Sequence, residues 1–599
     1  MLADFTNTTG DAVFDDALRQ GLAAQLAQSP FLNILSDQQI RQQLRFMGQT
    51  PTARLTNDLA RQVCQRTQSA AVLDGSIAQI GSTYNLVLSA LNCASGETLA
   101  TASSQAADKN QVLGALGKVA EEIRGKLGES LASIQKYNTP VAEATTSSLE
   151  ALKAFSLGMQ ARANKGEDSA APFFKQAIAL DPNFAMAYAV LGQVESNLGE
   201  KKVGSEYTKK AYDLRDRASE PEKFYIESHY YENVTGDSEQ AIQVYLLWAQ
   251  TYPQDAIPHN NLAVAYSQLG QWQKALPEAL EAHRLAPEES ISYMVVGATY
   301  LGLGRFDEAK AILNDALSRK LDVPNFHRVL YLIAFAQNDQ PAAAHELSIL
   351  SNSAPDVAAS ALALAAPSEA YFGHLAKARA LSQRAIADAE SLGRKESAGY
   401  ALASLAGIEA EMEDSAGARK DAAAALAIDS SVRTRSEAAY AFARAGDSAR
   451  AESLVGEMAK ERPSDTVGNM MVLPTIRATA ELGRNNPGKA VEILQPVIPY
   501  DLAIFGRVLS AYGRGRAYLL LHKGNEAAAE FQKVLDHSGI VLNSVVGPLS
   551  HLQVGRAYAM AGNEAKARAA YQDFFALWKD ADPDIPILKQ AKAEYAKLK

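Results

Sequence analysis

Several kinds of position recur along this chain with one common period, and that period limits what it can fold into. Pro253 and Pro287 lie 34 residues apart, and Pro355 follows at twice that interval. The same ruler superposes Leu262-Ala263, Val296-Gly297 and Leu330-Tyr331, brings Ala275 over Ala309 and Ala343, and matches Tyr266 to Tyr300. A repeat of this length is one supersecondary unit, too small to bury its own apolar face, so it must stack on its neighbours.

Each recurring position has a physical role. The small residue after the apolar one (Gly158, Gly192, Ala263, Gly297, Gly515, Gly555) is expected where two antiparallel helices approach most closely. Ala170, Ala275, Ala309 and Ala567 are expected to face it from the second helix. Larger side chains such as Leu157, Phe174, Leu313 and Tyr571 would fill the gap to the next unit. Turn residues such as Leu269-Gly270-Gln271 join the paired helices, and Pro182, Pro253, Pro287, Pro355 and Pro463 end the second one. These residues resemble the tetratricopeptide repeat family. The clearest copy spans 151–184, and strong copies cover about 256–289, 290–323 and 548–583. Weaker copies fill 185–252, 324–460 and 465–545. The expected fold is mainly α: a long solenoid of about a dozen helix pairs over 148–599, preceded by a small α/β domain at 1–135 and a linker at 136–147.

The first segment has a different grammar. Leu2–Phe5 reads as the end of a strand, Val13–Gln28 as an amphipathic helix, and Phe31–Leu35 as a short strand. Ser36-Asp37 and Thr56-Asn57 open helices, Ala71–Ile80 and Tyr84–Leu91 form a hairpin, Thr98–Gln105 adds a strand, and Val112–Ile134 returns to helix. Leu-Ala-Asp-Phe-Thr-Asn at the start and Val-Leu-Asp-Gly-Ser-Ile at 72–77 resemble TolB-like domains of bacterial envelope proteins. This domain followed by the repeats is similar to the sensor half of membrane-tethered serine/threonine kinases of the acidobacterial kind, on residues 4–11, 64–67 and 144–152. The first strand starts at residue 1 with no run-in, which predicts that the chain is part of a longer product. On their own, Cys64 and Cys93 read either as two buried thiols or as a pair. The resemblance implies a Cys64–Cys93 disulfide and an extracytoplasmic, periplasmic location; the alternative is a cytoplasmic scaffold.

The net charge of −10 with no long basic run excludes the positive stripe that nucleic-acid binding needs. No apolar run reaches the roughly 20 residues that span a bilayer. Asn486-Pro487-Gly488-Lys489 lacks the rest of a phosphate loop, and Asn325-Phe326-His327-Arg328 lacks the aspartate of a kinase catalytic loop. The histidines show no zinc spacing, and His229 reads as a packed residue. No catalytic, cofactor-binding or metal residue is expected, and no cofactor.

Counting from the small residue, the first helix of each pair should turn Phe155, Met159, Asn260, Val264, Met294, Ala298, Arg328 and Leu332 into a concave groove, with Asn261 beside them. Only Asn260, Asn261 and Arg328 suit a carboxylate clamp, so an extended or helical protein segment is the expected partner. The expected function is a non-catalytic interaction or sensor module, as half of a kinase-type receptor. The alternatives are the regulatory half of a tethered winged-helix transcription factor, a cytosolic scaffold, or an enzyme that uses the array as a frame.

Overall fold

The computed structural model describes residues 1–506 and 508–598. Near the start, β1 (Thr6–Asn7) runs parallel to β2 (Ala71–Ile80), and β3 (Thr83–Asn92) and β4 (Thr98–Ala106) continue the sheet in the order β1-β2-β3-β4. The β2–β3 hairpin closes on Gly81-Ser82, with Ile80 paired to Thr83 and Gly81 at φ +63°, the left-handed conformation a two-residue loop requires. Helices α1 (Val13–Ala27), α2 (Asp37–Phe46) and α3 (Asn57–Arg66) lie between β1 and β2, and α4 (Val112–Lys126) follows β4. Alternation puts Ile77, Leu86, Leu88 and Ala102 into one core with Phe14, Leu18 and Leu22 of α1 and Leu116 and Val119 of α4.

Three expectations change here. The expected strand Leu2–Phe5 is broken: Leu2 bridges Leu73, the chain leaves the sheet at Asp4, where Leu55 N donates to its carboxylate (2.7 Å), and pairing resumes at Thr6. Phe31–Leu35 forms no strand, because the free edge of β2 is already taken by the first residues. Instead Ser29 Oγ accepts from Phe31 N and Leu32 N (3.2 and 3.1 Å), and Phe31 is 56% exposed. The helix expected over Val112–Ile134 stops at Lys126 and restarts at Leu131. Between them Gly128 takes φ +104° and lets Glu129 fold back onto Arg124 in a two-bond ion pair (2.8 Å each). Both side chains are almost wholly buried.

Cys64 on α3 and Cys93 after β3 are joined in a disulfide, with Cα atoms 5.8 Å apart. The bond staples a small second core containing Ile40, Leu44, Leu55, Val63 and Val72. Closing a loop of this length stabilises a fold by about 3–4 kcal/mol.

From Leu149 onward the chain is helix after helix in antiparallel pairs. The small residues sit where the spacing puts them. A Cβ on Gly158 would fall 2.7 Å from the Phe174 ring, on Gly515 2.7 Å from Phe531, and on Gly555 2.8 Å from Tyr571. On Gly192 it would meet the carbonyl oxygen of Gly204 at 2.8 Å. Facing them, Ala170, Ala275, Ala309 and Ala567 are completely buried. Pro182, Pro253, Pro287 and Pro463 follow second helices as expected, whereas Pro355 opens the next first helix, where its missing N–H costs nothing.

The chain forms two compact units: Met1–Val234 with Gln240–Pro258, and Thr235–Glu239 with His259–Lys599. In the first, the α/β core is continuous with the first helix pairs, through Leu149, Leu152, Phe155 and Phe174. Residues 139–141 are held to α1 by Gln25 and Gln28, which accept from Val141 N (3.0 Å) and Thr139 N (2.8 Å).

In the second unit, late segments pack onto early ones. Trp272 Nε1 donates to Leu502 O (2.8 Å), and Gly270 at φ +73° makes room for the backbone of Leu502 and Ala503. Asn543 Nδ2 donates to Leu364 O and Ser368 Oγ (3.0 and 2.9 Å). Trp578 Nε1 donates to Tyr371 O (2.9 Å), and Asp582 N to Gly373 O (3.0 Å). One hydrophobic core accordingly joins Trp272, Leu375 and Met412 to Phe531, Val546, Trp578 and Leu588.

Beside this seam the Arg514 guanidinium is fully buried between Asp501 (3.0 and 2.5 Å) and Glu530 (3.0 and 2.8 Å). Lys533, at the edge of the site, also pairs with Asp501 (3.1 Å) and Glu530 (3.6 Å), so removing Arg514 leaves two largely buried carboxylates with only this half-exposed lysine between them. Arg514→Met should therefore destabilise the second unit by about 2–4 kcal/mol, less than the loss of an unshared cation would cost because Lys533 remains. The drop is read from the urea midpoint of its transition, and a midpoint unchanged from wild type would contradict this account.

Candidate interaction surface on the first helices

In the second unit, the first helix of one pair touches the first helix of the next, while second helices make no comparable contact with one another among the described residues. The first helices therefore form the inner layer, as in a solenoid. Ser290–Gly302, Pro324–Ala336, Lys395–Glu411, Val432–Arg444 and Leu509–Leu520 belong to it, and Ala263 and Val264 pack against the first of them.

The expected groove residues fall in both units. Phe155 is 5% exposed and packs on Phe174 and Phe184 (ring centroids 5.5 and 5.0 Å), so it fills the space between helices, whereas Met159 one turn on is exposed. In the second unit Asn260, Asn261, Val264, Met294, Ala298 and Leu332 are half-buried. Asn260 Nδ2 donates to Asn261 Oδ1 (3.3 Å), and Asn260 Oδ1 is buried with no hydrogen-bond partner. Val264 and Met294 share one small cluster with Val295 and Val296.

Arg328 is exposed to solvent, with protein crowding its guanidinium. Burial, and then the positive charge of Arg433, hold its proton affinity below the ordinary arginine value. The Arg433 guanidinium lies over the Tyr400 ring, 3.4 Å from its centroid. Further along the same helix Tyr440 Oη and Arg444 Nε donate to Glu411 Oε1 (2.7 and 3.2 Å), while Glu411 Oε2 is buried without a partner. Burial opposes the Arg444 charge, but Glu411 together with Tyr512, Tyr440 and Glu413 outweighs it and raises the pKa. Arg516, on the Leu509–Leu520 helix, has its pKa lowered by burial and then by Arg444. Sequence reasoning found Arg328 and missed Arg433, Arg444 and Arg516. Positions 433, 440 and 444 fall on one helical face, the signal that could have exposed them.

His327, next to Arg328, is held between Glu346 Oε2 and Asp322 Oδ1 (2.6 and 2.9 Å). Burial works against its charge, but the two carboxylates win and raise its pKa. A cleft of about 590 Å³ at the seam is lined by Trp272, Lys274, Phe306, Leu502, Asp536 and His537 among others. No group of three or more metal-ligating side chains occurs among the described residues, and no helix there is long and apolar enough to cross a membrane.

Two glutamates of the first unit are held inside the protein. Glu222 accepts from Ser219 N and Thr145 Oγ1 (2.8 and 3.0 Å), and burial raises its pKa. Glu232, in a π-helical turn at 231–235, accepts from Tyr245 Oη (3.0 Å), and burial raises its pKa to about 7. His229 is buried against the Tyr225 ring with Nδ1 2.8 Å from Tyr225 O, and burial lowers its pKa to about 4.

Paired helices in this register define a class, the α-solenoid interaction proteins. Within it, residues 291–322 match the model of the tetratricopeptide repeat. Solved structures similar to the chain include PilW, a widely conserved type IV pilus biogenesis factor, at 17% identity and TM-score 0.26 over 34% of this chain and 92% of that one. A tetratricopeptide repeat protein from Parabacteroides merdae ATCC 43184 is 12% identical at TM-score 0.24, over 43% of this chain and 91% of that one. The MamA protein is 22% identical at TM-score 0.20, over 28% of this chain and 92% of that one. No curated protein sequence matches the chain.

The Glu232 shift has a consequence for stability. An acid whose folded pKa is raised favours folding fully below its ordinary value of 4.5, and that contribution is lost as pH rises through about 7. His229 acts on the other side, with stability lost as pH falls below its ordinary 6.5 toward about 4. Glu232→Gln keeps an acceptor for Tyr245 without the ionisation. Its thermal midpoint relative to wild type should therefore rise between about pH 5 and about pH 8, and parallel curves would contradict the assignment.

Proposed function

We propose that this chain is a non-catalytic protein-interaction module whose inner layer of first helices receives a peptide or protein segment. The observation that carries the reading is the strip Asn260, Val264, Met294, Ala298, Leu332, which the array's own helices leave partly uncovered and which contains an unsatisfied amide oxygen. An extended or helical segment supplies both apolar contact and a hydrogen-bond donor there. The test is selection of peptides from a random display library on the full chain, with a photo-crosslinking side chain at Leu332. Enriched peptides that crosslink at that position support the reading. Absence of any enriched peptide, or crosslinking confined to the outer second helices, overturns it.

In the finer version the chain is the sensor half of a kinase-type receptor and works outside the cytoplasm. The buried Cys64–Cys93 disulfide supports this, since such bonds persist in oxidising compartments. Thiol counting on denatured protein taken from its own cells tests it. No free thiol before reduction and two after fit the envelope location; two free thiols in both cases place the chain in a reducing compartment.

A further inference from the structure

A stretch of the chain itself already lies across three successive first helices. Ser538–Val541, a single helical turn ahead of Val546–Met560, packs on Ser290–Gly302 and on Pro324–Ala336. Its Gly539 rests on the last turn of the former, so closely that a Cβ there would be driven into Leu301 O. Leu542 joins the cluster of Tyr293, Leu330 and Ile333 on which Met294 and Leu332 also pack. Asn543 reaches the third first helix, Pro355–Tyr371, through its bonds to Leu364 O and Ser368 Oγ. Tyr331 Oη donates to the same serine (2.6 Å), which ties the second and third helices together at that point. On the third helix too, the Tyr371 ring would meet a Cβ on Gly547 at 2.8 Å. Ile540, Val541 and Val545 are buried along the way. The strip that runs from Asn260 to Leu332 therefore meets this segment at the cluster shared by Met294, Leu332 and Leu542. Leu542 holds φ +52° and ψ −130°, a backbone that a side chain of this size adopts only when its surroundings impose it.

We propose that residues 538–545 are an internal occupant of the first-helix layer, a strap that competes with the partner and gives way to a segment of its own chemistry. That chemistry is a glycine, three apolar residues and a carboxamide, as in Gly539-Ile540-Val541-Leu542-Asn543. The proposal rests on the interaction reading above and adds how that surface is regulated. Each part of the pattern has its reason. Only a residue without a side chain lies flat on the helix end at Leu301, the apolar side chains fill the cluster below, and the carboxamide satisfies a main-chain carbonyl. The strap is tethered at both ends and so acts at a high effective concentration. A free segment displaces it by covering more surface, the open strip together with the strap's own seat. The strained backbone at Leu542 weakens the strap's hold in the closed arrangement.

The experiment is fluorescence anisotropy on the full chain, with a labelled synthetic peptide of residues 536–547 as the probe. Gly539→Ala unseats the protein's own strap and leaves the side chains beneath it in place. This variant should bind the peptide about tenfold or more tighter than wild type. Asn543→Ala, which removes two hydrogen bonds and no backbone fit, should shift affinity the same way by about threefold or more. A peptide with alanine for its glycine should bind neither variant. Gly399→Ala, whose Cβ meets the Asp429 side chain at 2.7 Å in another helix pair, destabilises the same unit and should bind the peptide as wild type does. Equal affinity of wild type, Gly539→Ala and Asn543→Ala for the peptide overturns the proposal, as does an equal gain in Gly399→Ala, which would mark general loosening. If display peptides crosslink at Leu332 but the strap variants bind the segment peptide no better than wild type, this inference fails while the interaction reading stands. If no peptide of either kind binds any of these proteins, both fail.

Discussion

Two indole N–H groups, on Trp272 and Trp578, reach backbone carbonyls more than two hundred residues away in sequence. A stack of helix pairs normally touches only its neighbours, so its inner layer is as open as its curvature leaves it. Here the late segments around 502, 543 and 582 return to the early turns, and each return is fixed by a donor that would otherwise be buried unpaired. The inner layer of the second unit owes its enclosure to those few bonds and to the core they seal. Arg328 and Arg516 in that layer feel the surrounding protein first as burial, which lowers their proton affinity.

How far the fold was legible depends on how local each determinant is. Gly158, Gly192, Gly515 and Gly555 are read correctly from spacing alone, because a helix pair meets within one repeat and needs its small residue at a fixed place. The β2–β3 hairpin is equally local. By contrast Phe31–Leu35 has strand-like composition and becomes a loop, because the strand edge it would need is occupied by residues from the start of the chain. The break after Lys126 follows from a buried ion pair between Arg124 and Glu129, whose partners a helical count treats as two ordinary surface charges. The return of residues 502–582 leaves no trace in any periodic pattern, since one carbonyl and one glycine suffice to receive a tryptophan.

The interaction surface was legible in part for the same reason. Where the register is strong, around residues 260–332, counting from the small residue finds side chains that do stand on the inner layer. Where insertions blur it, further along, the counting loses Arg433, Arg444 and Arg516, though all three lie on first helices. Phe155 shows the limit from the other side. The right helical face can still be a filled one, and only the neighbouring aromatic rings decide that.

Linear arrays fray from their ends, one repeat at a time, because every repeat is held by two interfaces and the terminal ones by a single interface. The bonds from Trp272 to Leu502 and from Trp578 to Tyr371 remove that freedom from the second unit. They convert a chain of nearest-neighbour contacts into one whose contacts span most of its length, which raises contact order and slows folding. In exchange the unit is expected to melt as a single cooperative block. Its inner wall is therefore rigid for as long as the block survives, without the loose terminal repeats through which an open solenoid breathes.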